Sequence, residues 1–240
     1  KGMSKILSTL VFLGISATAF AQPVLKIGGE VGGTFGTMSQ KFYGETRETQ
    51  FQAGFKIGAV LDIGFNDHFS LQPGLFLTTN GGSESNHDKY FSTGAGLPTS
   101  DHDNRRYHVT WLQLPVYALY KTGDEYSDRF FAGFGPYIGM AIGGKFEQEY
   151  TNTLNGQDIT KRPNSNLRIG YEPKDQMGRY DLGLQATAGY ETLFGLYFRV
   201  FYGYGLLNVA PNPDSENAFH NSVGGITIGF LFKPGSNRGY

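Results

Sequence analysis

From Phe51 to Phe65 the chain alternates without a break. Phe51, Ala53, Phe55, Ile57, Ala59, Leu61, Ile63 and Phe65 are apolar, and Gln52, Gly54, Lys56, Gly58, Val60, Asp62 and Gly64 between them are mostly small, polar or charged. A period of two places these sets on opposite faces of an extended strand, one about twice as long as is usual in globular proteins. One face requires an apolar medium. The other, carrying Lys56 and Asp62, requires water or ion pairing.

The same pattern recurs along the chain. Leu25, Ile27, Val31 and Phe35 oppose Lys26, Glu30 and Thr34, and Phe69, Leu71, Leu75 and Leu77 oppose Ser70, Gln72, Gly74 and Thr78. Around 107–120 both faces are partly apolar; Leu112, Leu114, Val116 and Ala118 share one side with Gln113 opposite. Further strands are expected over 129–145, 180–190 and 196–206, with a last one holding Ile226, Ile228, Phe230 and Phe232 on one face. Eight strands result, and their connections alternate long, short, long, short, long, short, long. The short ones lie at Asn66–His68, Lys121–Asp128 and Thr192–Gly195, and the hydrophilic stretches 40–50, 80–106, 147–176 and 208–221 are the long ones. With both barrel termini on one side, every long loop falls on the other. Short turns at one end, long loops at the other and strands of ten residues or so are the pattern of an all-β, eight-stranded antiparallel up-and-down transmembrane β-barrel. Pro73, Pro115 and Pro136 fall inside strands and predict bulges or positions near the rim.

Composition decides which face is outside. Only 17% of residues are charged, while 35 are Gly, 20 Phe and 15 Tyr. A soluble barrel with the greasy face inside would have the Gly-rich face as its exterior, nearly bare of the charges that keep soluble proteins apart. The alternative orientation puts the apolar face in lipid and fills a narrow lumen with small residues and paired ions. Lys26, Lys56, Arg179 and Arg199 can then neutralise Glu30, Asp62 and Asp181 as a structural network that plugs the lumen. Tyr107, Tyr120, Tyr190, Tyr202 and Tyr204 near strand ends suit interfacial girdles.

The start of the chain reads as a targeting signal. Lys1 and Lys5 precede or interrupt an apolar run ending at Phe20, and Ala19, Phe20 and Ala21 form a small-x-small cleavage site. Residues 1–21 are expected to be a signal peptide and 22–240 the outer-membrane barrel domain. The net charge of -1 argues against nucleic acid as a partner, and the absence of cysteine excludes disulfide and thiolate chemistry.

Several segments together resemble the PorT-like family of small outer-membrane barrels of Bacteroidetes: LQPGLFL from Leu71, LQLPVYALYK from Leu112, FFAGFGPYIG from Phe130, DLGLQATAGYE from Asp181, FRVFYGYGLLNV from Phe198 and the closing GITIGFLF. The resemblance implies a Gram-negative outer-membrane location, contact with outer-membrane lipid, and insertion by the barrel-insertion machinery. It also implies a link to a secretion-system protein partner. Members end on an aromatic strand terminus; here Phe232 is followed by KPGSNRGY.

Candidates for chemistry are few. Ser100–Asn104, SDHDN, with His87, Asp88 and His108, could form a hydrolase site at the rim of loop 80–106. The residue types equally suit a solvated turn, and no metal-ligand spacing recurs. His68 and His220 stand alone, and the glycines of GGEVGGTFG precede no helix, so they are no nucleotide loop. The expectation is a monomeric, non-enzymatic barrel without metal or cofactor, whose four long extracellular loops serve binding or adhesion, with an extracellular or secretion-system protein as partner, or which has a structural role in the outer membrane or a secretion assembly. A rim hydrolase and a narrow porin-like channel are the alternatives.

Overall fold

The computed structural model describes residues 23–42, 45–48, 50–91, 98–124, 126–154, 157–161, 163–172, 175, 177–210 and 217–235. Among the described residues there are eleven strands: β1 (Val24–Phe42), β2 (Glu45–Glu48), β3 (Gln50–Gly64), β4 (Phe69–Phe91), β5 (Pro98–Lys121), β6 (Arg129–Leu154), β7 (Gln157–Lys161), β8 (Asn164–Asn166), β9 (Tyr180–Glu191), β10 (Leu196–Gly205) and β11 (Asn217–Phe232). The order β11-β10-β9-β6-β5-β4-β3-β1, with β1 also paired to β11, closes an eight-stranded antiparallel ring. The short strands β2, β7 and β8 attach to β1 and β6 beyond it.

Closure leaves no sheet edge within the ring, so every strand there can satisfy its backbone in a medium without water. The pairings Val24↔Gly64 and Ile27↔Phe232 bring the start of β1 and the end of β11 to one end of the barrel, beside the three short turns. In the first turn Asn66 Oδ1 accepts from the backbone N–H of His68 and Phe69 at 2.9 and 2.8 Å. The third depends on Gly195, whose φ of 91° suits only glycine, and a Cβ there would lie 2.0 Å from the Leu231 carbonyl oxygen.

The long connections are not loops throughout. Strands β4 and β5 stay paired from Phe69↔Tyr120 to Phe91↔Pro98, and β5 pairs β6 out to Asp101↔Asn152. Most of 80–106, expected to be loop, is therefore backbone strand, as are 147–154. Alternation marks a strand in sequence only where its two faces meet unlike surroundings, and 80–106 carries none.

Side chains alternate between wall and lumen as the period requires. Phe55, Leu182 and Ile228 point outward, and Lys56 and Arg199, at 0% and 1% exposure, point inward. An outer wall bearing Phe134 at 70% and Ile226 at 62% exposure among many other exposed apolar side chains is a surface that soluble monomers rarely keep in water, and it faces lipid.

The prolines interrupt pairing without bulging. Pro73 pairs Val116 and Pro115 pairs Tyr137, and the register resumes unshifted at Phe76↔Gln113 and Ala118↔Phe134. Each ring nitrogen omits a ladder bond while its φ still fits a strand. The register shifts fall elsewhere, between Phe51 and Lys56 and between Thr110 and Trp111.

Candidate functional site

The lumen is organised in layers. Nearest the turns, Arg129 donates from Nε and Nη2 to both Glu191 oxygens at 3.1 and 3.0 Å, and Lys26 reaches Glu191 Oε1 at 3.2 Å. Lys121 bridges Asp62 and Glu191. One layer up, Glu30 receives Arg199 Nη1 at 2.7 Å, the Tyr197 hydroxyl at 2.7 Å and the Thr227 hydroxyl at 3.0 Å, with Lys56 Nζ 3.5 Å away. Arg199 also donates to Gln72. Lys56 lies between the Phe76 and Phe201 rings, 4.0 and 4.1 Å from their centroids, so aromatic faces replace part of the hydration lost on burial. Above this, Asp181 accepts from Tyr137 at 2.8 Å and from Asn221 at 3.3 Å, and Asn221 in turn accepts from Asn80 at 3.1 Å.

Of the seven residues expected in the lumen, the structure joins Glu30, Lys56 and Arg199 in one cluster and places Lys26 and Asp62 in another. Asp181 is buried with neutral partners. Arg179 does not belong to the set: it precedes β9, at the end away from the turns, and is exposed. The strand alternation gave it the parity of Asp181, but the lumen wall begins only with β9. Sequence reasoning missed Lys121, Arg129 and Glu191, which lie where strand meets turn. Continuing the inward series Gln113, Tyr117, Leu119 by two residues reaches Lys121, and Thr187 followed by Gly189 reaches Glu191. Inward-facing Phe76, Tyr117 and Phe131, packed with Val60, Leu119, Tyr197 and Leu231, were also missed, because aromatics were read as lipid-facing.

The end away from the turns is capped. Val109, Trp111 and Ala141 of the wall pack with Leu167, Met177 and Val209 from the connections, and Tyr107, Phe146, Ile169 and Phe219 close around them. The cap is fastened by backbone bonds from Leu167 to Gly144 at 3.0 Å, Gly178 to Val209 at 2.8 Å and Val209 to Phe219 at 3.0 Å. With ion pairs and aromatics below it, this lumen is a packed interior.

On the turn side, Asp128 joins two hairpins. Its carboxylate accepts the Tyr190 hydroxyl and the Leu193 N–H, both at 2.7 Å, and these bonds hold its pKa below the ordinary carboxylate value.

The rim segment Ser100–Asn104 and His87–Asp88 lie on the backbone ribbon of β5 and β4, and their side chains fall outside the described residues. His108 is half-buried in β5. Among the described residues no three His, Asp or Glu side chains converge to hold a metal ion. His68 Nδ1 is 3.0 Å from the Lys121 carbonyl, and His220 Nδ1 is 3.1 Å from that of Gly205.

A family model described as an outer membrane protein beta-barrel domain matches residues 20–210. No curated protein matches the chain. Among solved structures the chain is similar to Ail, the attachment invasion locus protein of Yersinia pestis, at 13% identity and TM-score 0.38, covering 87% of this chain and 99% of that one. It is similar to outer membrane protein OprG of Pseudomonas aeruginosa at 11% identity and TM-score 0.43, covering 89% and 98%. For the outer membrane protease OmpT of Escherichia coli the values are 12%, 0.34, 90% and 98%. At such low identity the family rests on the family model.

Proposed function

Because the chain belongs to the outer membrane protein β-barrel domain family and resides in the bacterial outer membrane, we propose that it is a non-enzymatic membrane-anchored display protein. Its barrel holds an extracellular β-ribbon in place, and that ribbon binds an extracellular or secretion-system protein. The observation that carries this reading is the continuation of β4, β5 and β6 as paired strands far past the cap, out to Phe91↔Pro98 and Asp101↔Asn152. A ribbon fixed at its base loses less conformational entropy on binding than a free loop does.

The packed lumen favours display over conduction, so a narrow channel is the weaker reading. The side chains of the rim candidates His87, Asp88 and Ser100–Asn104 lie outside the described residues, and the rim hydrolase stands as the alternative that the test below addresses. Residues 1–21 act in this account as a cleaved signal peptide, and the quoted segments support a PorT-like member working beside a secretion assembly.

The test removes residues 84–105, the outer hairpin of β4 and β5, and compares partner capture and surface adhesion with the intact protein. The expected result is a folded, membrane-inserted barrel that no longer binds. Capture unchanged by the deletion overturns the reading, as does a lipid or peptide hydrolysis activity that disappears with Asp101→Ala or His102→Ala.

A further inference from the structure

The layer of the lumen nearest the turns opens into a cavity of about 300 Å³, lined by Lys26, Asp62, Ser70, Lys121 and Arg129, with the exposed Asp67 on its rim. The cap closes the opposite end, so this layer is reached from the turn side. Three cations here, Lys26, Lys121 and Arg129, meet two buried carboxylates, Asp62 and Glu191. Lys26 gives one bond to Glu191, Lys121 gives one each to Asp62 and Glu191, and Arg129 spends Nε and Nη2 on Glu191. An ammonium carries three donors and a guanidinium five, so all three residues retain donors beyond these bonds. Asp67 balances the third cation only from the exposed rim, so the unspent donors inside the layer are what an anion entering the cavity would satisfy.

Two neutralising details narrow the ligand. Ser70 Oγ and Asp62 Oδ1 are both buried in residues at 5% and 2% exposure, and neither has a hydrogen-bond partner in the protein. Ser70 supplies one more donor for an anion. Asp62 Oδ1 is an acceptor among donors and calls for a ligand that itself carries a proton.

We propose that the turn-side mouth of the barrel binds free hydrogen phosphate. Its oxygens accept from Lys26, Lys121, Arg129 and Ser70, and its remaining P–O–H donates to Asp62 Oδ1. Sulfate has the same shape and size but no proton at neutral pH, so Asp62 Oδ1 repels it. A phosphodiester headgroup lacks that proton as well, which favours the free ion over phosphodiester lipid as the source. The inference concerns the turn side alone and stands apart from the display role of the ribbon.

The test is isothermal titration calorimetry on the full barrel, folded in uncharged detergent in chloride buffer at pH 7. Inorganic phosphate gives saturable binding, and sulfate binds about tenfold or more weakly, the effect of a buried acceptor left facing an oxyanion. Asp62→Asn, whose amide also donates, narrows the gap between the two anions to about threefold or less. Ser70→Ala weakens both anions alike, and vesicles of phosphodiester lipid fail to compete. Heat-modifiable gel migration reports whether each variant folds; should Asp62→Asn not fold, the phosphate-to-sulfate ratio on the unaltered protein and on Ser70→Ala decides. Absence of saturable phosphate binding, equal affinity for sulfate, or competition by phosphodiester lipid overturns the proposal.

Discussion

Arg199 and Glu30 meet in the lumen over β11, from its neighbours β10 and β1, with Nη1 2.7 Å from Oε2, and both side chains are wholly buried. Neither belongs to the same hairpin, so the pair ties the last third of the chain to its first strand. Burial makes the attraction strong and the loss of one partner stronger still, because the survivor keeps its charge without water.

Glu30→Ala is therefore expected to destabilise the folded barrel by about 3–5 kcal/mol. Replacing both partners with apolar residues of similar size should cost less than either single change. Urea unfolding in detergent micelles, followed by gel migration, measures all three. Additive losses would mean that the two side chains do not act as a pair.

Gly229 makes room for that cluster. A Cβ at this position would stand 2.2 Å from Cζ and 2.4 Å from the hydroxyl of Tyr197, the same hydroxyl that donates to Glu30. Gly229→Ala is expected to push the Tyr197 ring aside and cost about 1–3 kcal/mol, the usual range for overpacking. The same unfolding measurement reads it, and a Tyr197→Phe background should reduce the loss.

Strands and their faces were legible in the sequence because lipid on one side and a packed lumen on the other impose opposite demands on alternate residues. The turns at Asn66–His68 and Thr192–Gly195 were legible too, from side chains that bond their own backbone and from a glycine at positive φ. What the sequence concealed lies where those demands lapse. Beyond Gly82 and Arg106 the sequence no longer alternates, so nothing in the residue order distinguishes strand from loop. At Lys121 the charge reads as turn polarity, and Arg129 and Glu191 sit at strand ends to which the alternation assigns no face, although all three side chains complete the lumen series. Arg179 shows the opposite error, a correct parity extended past the end of the wall.

The single tryptophan, Trp111, is 2% exposed beneath the cap. Its emission should be blue-shifted and resistant to aqueous quenchers. Leu167→Ala removes packing on it, with an expected loss of about 2–5 kcal/mol if the cap unfolds with the barrel. If the cap opens alone, quenching rises while global stability holds. Either outcome places Leu167 over the indole; unchanged emission and stability would not.

Acid should release the turn clamp at Asp128. The pKa of Asp128 lies below the ordinary carboxylate value in the folded state because Tyr190 and Leu193 donate to it. Its contribution is complete above the unfolded pKa and declines as pH falls through the lowered folded value. Protection of the Leu193 amide, the slowing of its exchange relative to the intrinsic rate at each pH, should fall over that acidic range and lose this dependence in Asp128→Asn. Protection at Leu193 that is independent of pH would show that the carboxylate is not its acceptor in solution.

Which side of the sheet meets the bilayer can be read residue by residue, since the chain has no native cysteine. Nitroxides attached to single cysteines at Phe55, Lys56, Leu182, Arg199 and Ile228, in barrels reconstituted into liposomes, report access to dissolved oxygen and to a water-soluble nickel chelate. Oxygen collisions should be frequent at Phe55, Leu182 and Ile228 and rare at Lys56 and Arg199, with the chelate excluded throughout. Frequent oxygen collisions at Lys56 and Arg199, with Phe55, Leu182 and Ile228 shielded, would contradict the account.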